Sequence, residues 1–370
     1  MKKQTISAIW LTLAAVMPIA CARNSNPLVP STNTVASTPS TPAATAVPTA
    51  APTVQIPDAN LRAAVAQVLY SNGVLSNPSA TITEADMATM TTLVVDDVAV
   101  TSLEGLQYCT GLTDLEVSWN NITNLSPISG LSGLNTLDLT GNPVTSMASI
   151  SGLTNLNSLY IGYTSVSTLS PIAGLTNLQY LELYNTSVSD LTPVTGMTQL
   201  VELNADADQI STIPNGINEL TNLQDLELYA NPLTSLPNLS GCTSLQALVV
   251  DSCQITNISS IASISSLILF SADNNPLNST LPNLSSMTNL QYLEVESCGV
   301  VDITGVSGMT ALGTFDMKNN RVNNIDPLVS AYNAGSFRAY ATIDLSGNPM
   351  GGVNTTADRN FLVNNGVSVQ

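Results

Sequence analysis

The chain has 370 residues with 26 acidic and 8 basic side chains, no histidine and a formal charge of −18. No Lys or Arg occurs between Arg62 and Lys318, which argues against nucleic acid or an anionic membrane as the ligand of that stretch, since such binding rests on basic side chains meeting phosphate. Without histidine there is no Ser/His/Asp or Cys/His machinery and no ordinary zinc centre.

Residues 1–21 read as a secretory signal, with Lys2 and Lys3 ahead of an apolar run from Ile9 to Met17. Pro18-Ile19-Ala20-Cys21 resembles a bacterial lipobox, although Pro18 stands where that motif has an aliphatic residue; the resemblance implies lipidation of Cys21. Ala20-Cys21-Ala22 also fits ordinary cleavage after Ala22, which would release the chain instead. Residues 22–54 are dominated by Ser, Thr, Pro, Ala, Asn and Val. They cannot bury enough surface to fold and are expected to act as a disordered, extended linker.

Residues 55–89 are expected to form a helical N-terminal cap. Asp58 is placed to N-cap a helix with an apolar face of Leu61, Val65, Val68 and Leu69, and Thr83-Glu84-Ala85-Asp86 reads as a capping box opening a second helix.

From residue 90 to about 350 one frame recurs some twelve times. It is LTDLEVSWNNI at Leu112, LNTLDLTGNPV at Leu134, LNSLYIGYTSV at Leu156, LQYLELYNTSV at Leu178 and LQDLELYANPL at Leu223. The ninth position falls at Val98, Asn120, Asn142, Thr164, Thr186, Asp208, Asn231, Cys253, Asn275, Cys298, Asn320 and Asn348. A near-constant period of this length signals a solenoid in which each unit packs on its neighbours. Within a unit Leu181 and Leu183 alternate with Tyr180, Glu182 and Tyr184, the period of a half-buried strand. After Val188 the apolar residues Leu191, Val194, Met197 and Leu200 come every third position, which suits a 3₁₀ turn. Stacking such copies predicts a parallel sheet on one face and compact returns on the other. Pro327 to Tyr332 is expected to form an α-turn in the longer last interval, and residues 351–370 a C-terminal cap with a helix over Ala357 to Asn364 stopped by Gly366.

The pattern LxxLxLxxNxI followed by LxPIxGLTNL, carried by Leu169, Pro171, Ile172, Gly174, Leu175, Thr176, Asn177 and Leu178, resembles the bacterial leucine-rich repeat family and its internalin-like branch. The resemblance covers roughly residues 56 to 370. It implies an α/β solenoid: a curved right-handed leucine-rich repeat with a parallel β-sheet on the concave face, a 3₁₀ or irregular convex side and helical caps. It also implies a ladder of Asn side chains bonding the backbone of adjacent turns, and a role in binding proteins or glycans. Asp208 departs from the ladder because a carboxylate cannot donate the amide hydrogen bond, which predicts an irregularity in the sixth copy.

The strand columns that face solvent collect Asp96, Asp97, Asp114, Glu116, Asp138, Glu182, Glu202, Asp206, Asp225, Glu227, Asp251, Asp273, Glu294, Glu296, Asp316 and Asp344, with Lys318 the only basic residue among them. Tyr160, Tyr163, Tyr180, Tyr184, Tyr229 and Tyr292 share that face or its rim with Trp119, and aromatic side chains among hydrogen-bonding groups are interface material. The expected ligand-binding set is Asp114, Glu116, Trp119, Asp138, Tyr160, Tyr163, Tyr180, Glu182, Tyr184, Asp206, Asp225, Glu227 and Tyr229, centred on copies four to seven. A ligand with a basic or cation-bridged surface fits such a face.

Cys109, Cys242, Cys253 and Cys298 give no disulfide framework and are expected as buried free thiols. No cofactor is expected. Asp206-Ala207-Asp208 lacks the loop that would make a calcium site specific. An open sheet offers no pocket to split the pKa values of two carboxylates, so no enzymatic activity is expected. The reading is a cell-surface or secreted recognition module for a protein or glycan, exported and held in the cell envelope if Cys21 carries lipid. The alternative is a structural, self-assembling envelope spacer.

Overall fold

The computed structural model describes residues 52–352 and 355–370. The signal segment 1–21, the lipidation residue Cys21 and the linker as far as residue 51 lie outside the described residues. Residues 52–54, expected as the end of the linker, are among the described ones. Val54 N donates to Ile82 O at 2.9 Å and Glu84 N to Pro52 O at 3.1 Å, so the chain is already tied down at Pro52.

Thirteen strands form one parallel sheet in sequence order. They are β1 (Thr92–Val94), β2 (Asp114–Glu116), β3 (Thr136–Asp138), β4 (Ser158–Tyr160), β5 (Tyr180–Glu182), β6 (Glu202–Asn204), β7 (Asp225–Glu227), β8 (Ala247–Val249), β9 (Leu269–Ser271), β10 (Tyr292–Glu294), β11 (Leu312–Asp316), β12 (Phe337–Asp344) and β13 (Ser368–Val369). The first twelve each open one coil, numbered likewise. Alternation makes them strands: in β5 the buried Leu181 is flanked by half-buried Tyr180 and Glu182. Leu137, Leu159, Leu181 and Leu203 pair in register from coil to coil. Equivalent residues therefore stand in columns spaced about 4.8 Å.

The step-of-three residues Val188, Leu191, Val194, Met197 and Leu200 are fully buried behind the sheet, around a 3₁₀ turn at Thr192–Gly196 with Pro193 in its first positions. Turns at Ser126–Ile128 and Ser170–Ile172 are built in the same way, because Pro fixes φ where its missing N–H has no helical partner to lose. Two coils turn differently. Asn238 Oδ1 accepts from Ser240 N, and Asn283 Oδ1 from Ser285 N, so a side-chain turn replaces the 3₁₀ turn after Pro237 and Pro282. One apolar core runs without interruption from Val54 to Val369.

The ninth position carries the ladder. Asn142 Oδ1 accepts from Ile122 N at 3.0 Å while its Nδ2 donates to Val117 O at 2.8 Å and Leu139 O at 3.0 Å. Asn120, Asn231, Asn275, Asn320 and Asn348 repeat the arrangement. Cys253 and Cys298 keep its donor half, the thiols donating to Leu228 O and Ala272 O. All four described cysteines are buried and free, and burial pushes the Cys298 thiol up to about 12. A second row of asparagines, not anticipated from the sequence, runs along the other edge of the sheet. Asn155, Asn177, Asn222 and Asn289 each donate to a carbonyl one coil back, Ser132, Thr154, Thr198 and Ser265.

Coil six is less irregular than expected. β6 pairs in register with both neighbours, and Asp208 Oδ1 accepts from Thr186 N and Oγ1, each at 2.7 Å. Only Oδ2 of Asp208, on the side where an amide would donate, is buried without a partner.

At the entry, α1 (Ala59–Ser71) buries Leu61, Val65, Ala66 and Leu69, and α2 (Glu84–Ala88) starts at a capping box between Thr83 and Asp86. In coil one Met90, Leu93, Val95 and Val100 are buried, whereas Val98, standing at the ladder position, is exposed. Asp58 caps α1 through Asn60 N and Leu61 N with one oxygen, and with the other accepts from Thr101 N and Oγ1 at 2.8 Å. Although burial opposes it, these bonds hold the Asp58 carboxyl below its usual value. Asp58→Ala therefore loses the cap and the tie to coil one together, about 1–2 kcal/mol. Amide hydrogen exchange is expected to speed up across α1 before the central coils, and uniform exchange would contradict that placement.

At the far end α3 (Asp326–Asn333) takes the place of a 3₁₀ turn, with Pro327 in its first turn. β12 breaks register against β11 between Leu312 and Thr314. α4 (Thr355–Asn364) precedes β13, where Val367 and Val369 pack on the last coil.

Candidate functional site: the concave face

Strand alternation sends the third, fifth and seventh residues of each copy outward on the concave side. The eighth residue then breaks the alternation. It is left-handed in all twelve coils, from Asp97 (φ 53°) through Trp119 (55°), Gly141 (71°), Tyr163 (53°) and Asn185 (56°) to Gly347 (78°). The turn into the ladder requires that conformation, which glycine and asparagine adopt at least cost. Trp119 and Tyr163 are bulky residues held there, and both are exposed, by 53% and 48%.

Two glycines let aromatic rings converge. A β-carbon on Gly141 would lie 2.6 Å from the ring of Trp119, one coil back, so that ring lies across Gly141. A β-carbon on Gly162 would lie 2.7 Å from the ring of Tyr184, one coil ahead. Trp119 leans forward from coil two and Tyr184 leans back from coil five. Tyr163 stands between them, its ring centroid 5.4 Å from each, and meets Tyr184 edge-on at 89°. Beneath lies a hollow of about 360 Å³ lined by Glu116, Ser118, Trp119, Thr136, Asp138, Thr140, Tyr160, Glu182 and Tyr184.

Its floor is one column of the sheet. Glu116, Asp138, Tyr160 and Glu182 are consecutive register partners, so each stands about 4.8 Å from the next. Burial, then the carboxylates of Glu202 and Asp138, push Glu182 up to about 7. Burial and the charges of Asp96, Asp138 and Asp114 raise Glu116 as well. Burial and nearby carboxylates also raise the Tyr160 and Tyr184 phenols, so both remain hydrogen-bond donors across the neutral range.

The acids of the seventh column have another task. Asp96 Oδ1 accepts from Ser118 N, Asp206 Oδ1 from Tyr229 N, Asp251 Oδ1 from Asp273 N and Asp273 Oδ1 from Glu296 N, at 2.6–2.9 Å. Each bond joins neighbouring coils where the strand ends, so these carboxylates serve the fold. In coils two to five the seventh residues are Ser118, Thr140, Gly162 and Tyr184. The hollow occupies the interval in which that carboxylate row is interrupted.

The expected binding residues thus separate. Glu116, Trp119, Asp138, Tyr160, Glu182 and Tyr184 line the hollow and Tyr163 stacks on its rim. Asp114, Tyr180, Asp206, Asp225, Glu227 and Tyr229 lie outside it. Asp225, expected to face solvent, is 1% exposed with both carboxylate oxygens unpartnered. Burial first, then Glu227, Glu202 and Asp206, raise its pKa well above the ordinary value. Asp251 and Asp273 are buried too. Tyr229 is 43% exposed but is not among the rings in mutual contact, which come from coils two, four and five. Gly141 and Gly162 went unnoticed as site residues in the sequence. Their signal is glycine at two successive copies of outward positions, and at Gly162 no left-handed backbone calls for it. A larger hollow of about 430 Å³ lies on the edge of the sheet among Gln224, Gln246, Gln291 and small polar residues; without an aromatic or charged group it offers little to select a ligand. Among the described residues no cluster of three or more acidic or cysteine side chains is placed to hold a metal ion.

The model for leucine-rich repeats, two copies, matches residues 154–196. No curated protein matches the sequence. Among solved structures, an internalin (InlF) from Listeria monocytogenes is 25% identical with a TM-score of 0.64, the match covering 82% of this chain and 93% of that one. The ectodomain of an Arabidopsis thaliana receptor kinase, solved in complex with Casparian strip integrity factor 2, is 24% identical with a TM-score of 0.60 over 72% of this chain and 34% of that one. A Leptospira interrogans leucine-rich repeat protein, 15% identical with a TM-score of 0.53, shares the fold over 78% of this chain and 97% of its own. The period, the register-locked parallel sheet, the asparagine ladder and these likenesses agree: the chain is a leucine-rich repeat protein, structurally similar to Listeria internalins.

Proposed function

We propose that this protein is an exported recognition module, displayed on the cell envelope or secreted, that captures a ligand with a basic or cation-bridged surface on its concave face. A protein is the favoured ligand and a glycan the other candidate. Leucine-rich repeats are in general binding modules rather than enzymes, and the fold typically mediates protein binding. The Arabidopsis neighbour was solved with a bound factor, which is the kind of use proposed for this face. Export rests on residues 1–21, with Cys21 the proposed lipid attachment. Among the described residues no helix is long and apolar enough to cross a membrane.

One observation carries the reading: aromatic rings from three coils, two of them exposed, converge over a row of carboxylates. Aromatic anchors amid polar groups are where interface energy concentrates. Trp119 and Tyr163 also occupy left-handed positions, at about 1–2 kcal/mol each, where every other coil places a smaller residue.

The test is capture of partners by the immobilised protein and by its Tyr160→Ala/Tyr180→Ala/Tyr184→Ala variant. Capture is expected to fall at least tenfold in the variant while the protein stays folded, because these rings lie on the concave face and outside the apolar core. Moving the wild type into 1 M salt is expected to weaken capture as well. Equal capture by both proteins would end the reading.

A further inference from the structure

We propose that the hollow between Trp119 and Tyr184 seats one cationic side chain, a lysine or arginine, presented by a protein partner. The inference rests on the recognition reading and narrows it to one group at one place.

The shape comes first. Trp119 and Tyr184 start three coils apart, about 14 Å, and both rings are tilted inward over glycines, so the walls approach above the floor. Gly162 is the informative residue. Its backbone is not left-handed, and any side chain there would collide with the Tyr184 ring. Tyr163 bridges the two walls at 5.4 Å on either side. The result is an aromatic enclosure open to solvent, at the small end of the range for ligand hollows.

The charge decides the occupant. Glu116, Asp138 and Glu182 stand in one column with Tyr160 among them, and no basic residue occurs in the chain between Arg62 and Lys318. Several acids elsewhere on the face are answered, although Asp225 is not; within the column Asp138 Oδ1 accepts from Thr140 N at 2.8 Å. Lys318 bridges Asp316 at 2.6 Å and Asp344 at 3.3 Å, and the seventh-column aspartates accept backbone N–H groups. A neutral sugar would stack on the rings but leave three carboxylates crowded together. A lysine or arginine fits both parts: its apolar stem lies along the aromatic faces, and its head meets ring faces and carboxylates. Glu182, raised to about 7 by burial, Glu202 and Asp138, would give up its proton when a cation arrives.

The test uses the full chain with Trp10→Phe, leaving Trp119 as the only tryptophan. Its fluorescence is followed while pentapeptides Gly-Gly-Xaa-Gly-Gly are added, with Xaa lysine, arginine or norleucine, and separately chitotetraose. A saturable change is expected with lysine or arginine, and at least tenfold weaker binding with norleucine and the oligosaccharide. Glu182→Gln and Asp138→Asn are each expected to weaken the lysine or arginine peptide severalfold without lowering the unfolding temperature, and Gly162→Ala to weaken it by displacing Tyr184. Norleucine or chitotetraose binding as tightly as the cationic peptides would overturn the proposal, as would indifference to Glu182→Gln, or no saturable change with any probe. If partner capture is lost on replacing the three tyrosines but survives Glu182→Gln and Asp138→Asn, the cation seat fails while the recognition reading stands.

Discussion

Acidifying this protein from pH 8 to pH 5 is expected to raise its unfolding temperature. The cause is a set of carboxyl groups whose folded-state pKa exceeds the unfolded value. Burial pushes Asp208 up to about 6 and Asp251 up to about 7, from 3.8. Burial, with Glu227 and Glu202 beside it, raises Asp225 well above 3.8. Such groups bind more protons folded than unfolded, so their contribution is complete below about pH 4 and is lost as pH rises through the folded pKa. For Asp208, a rise from 3.8 to about 6 amounts to about 3 kcal/mol lost by neutral pH. Asp58 and Asp344 act the other way, since hydrogen bonds hold both below 3.8. Their stabilisation disappears only below about pH 4, which places the optimum near that value.

Asp208→Asn separates this effect from the general repulsion of an acidic chain. The ladder amides donate to a carbonyl 25 residues back, as Asn142 does to Val117. Counting back the same distance from Asp208 reaches Leu183. An amide there supplies the missing donor at every pH, so Asp208→Asn is expected to gain up to about 3 kcal/mol at pH 8 and almost nothing at pH 4. Thermal melts of both proteins across that range decide the matter. Parallel pH profiles would remove Asp208 from the explanation.

Asn142→Ala is expected to have the opposite sign and a comparable size. Asn142 is 1% exposed. Its loss strands Ile122 N–H, which it now satisfies at 3.0 Å, while Val117 O keeps Asn120 Nδ2 and Leu139 O keeps the backbone N–H of residue 142. A buried polar group left without a partner costs about 1–3 kcal/mol, which sets the expected loss. Asn142→Thr is the milder control, because Thr164 already fills the equivalent place in the next coil by donating to Ile161 O at 2.8 Å. Urea midpoints in the order wild type, Thr, Ala are expected. An Ala variant as stable as wild type would mean that the ladder carries no net stability.

The repeat was legible because its cause is local. Leu181 and Leu183 point to the core, Val188 and Leu191 follow at the spacing of a tight return, and each copy repeats the requirement because it meets only its neighbours. The capping residues Asp58 and Thr83 were readable for the same reason: each acts within three residues of itself. The second asparagine row was not, since Asn155 and Asn177 satisfy carbonyls 23 residues away and look like ordinary turn residues in isolation.

The primary structure by itself determined the coil and the sheet, because period and alternation follow from backbone geometry. Only the folded arrangement decided which acids remain available. Alternation assigns Asp225 and Glu182 to the same face, yet one is buried and the other lines an open hollow. The difference lies in side chains from adjacent coils, whose lean across the sheet has no counterpart in spacing along the chain. In the same way, two glycines and three rings on four coils make an enclosure only when stacking brings Trp119 and Tyr184 to face each other.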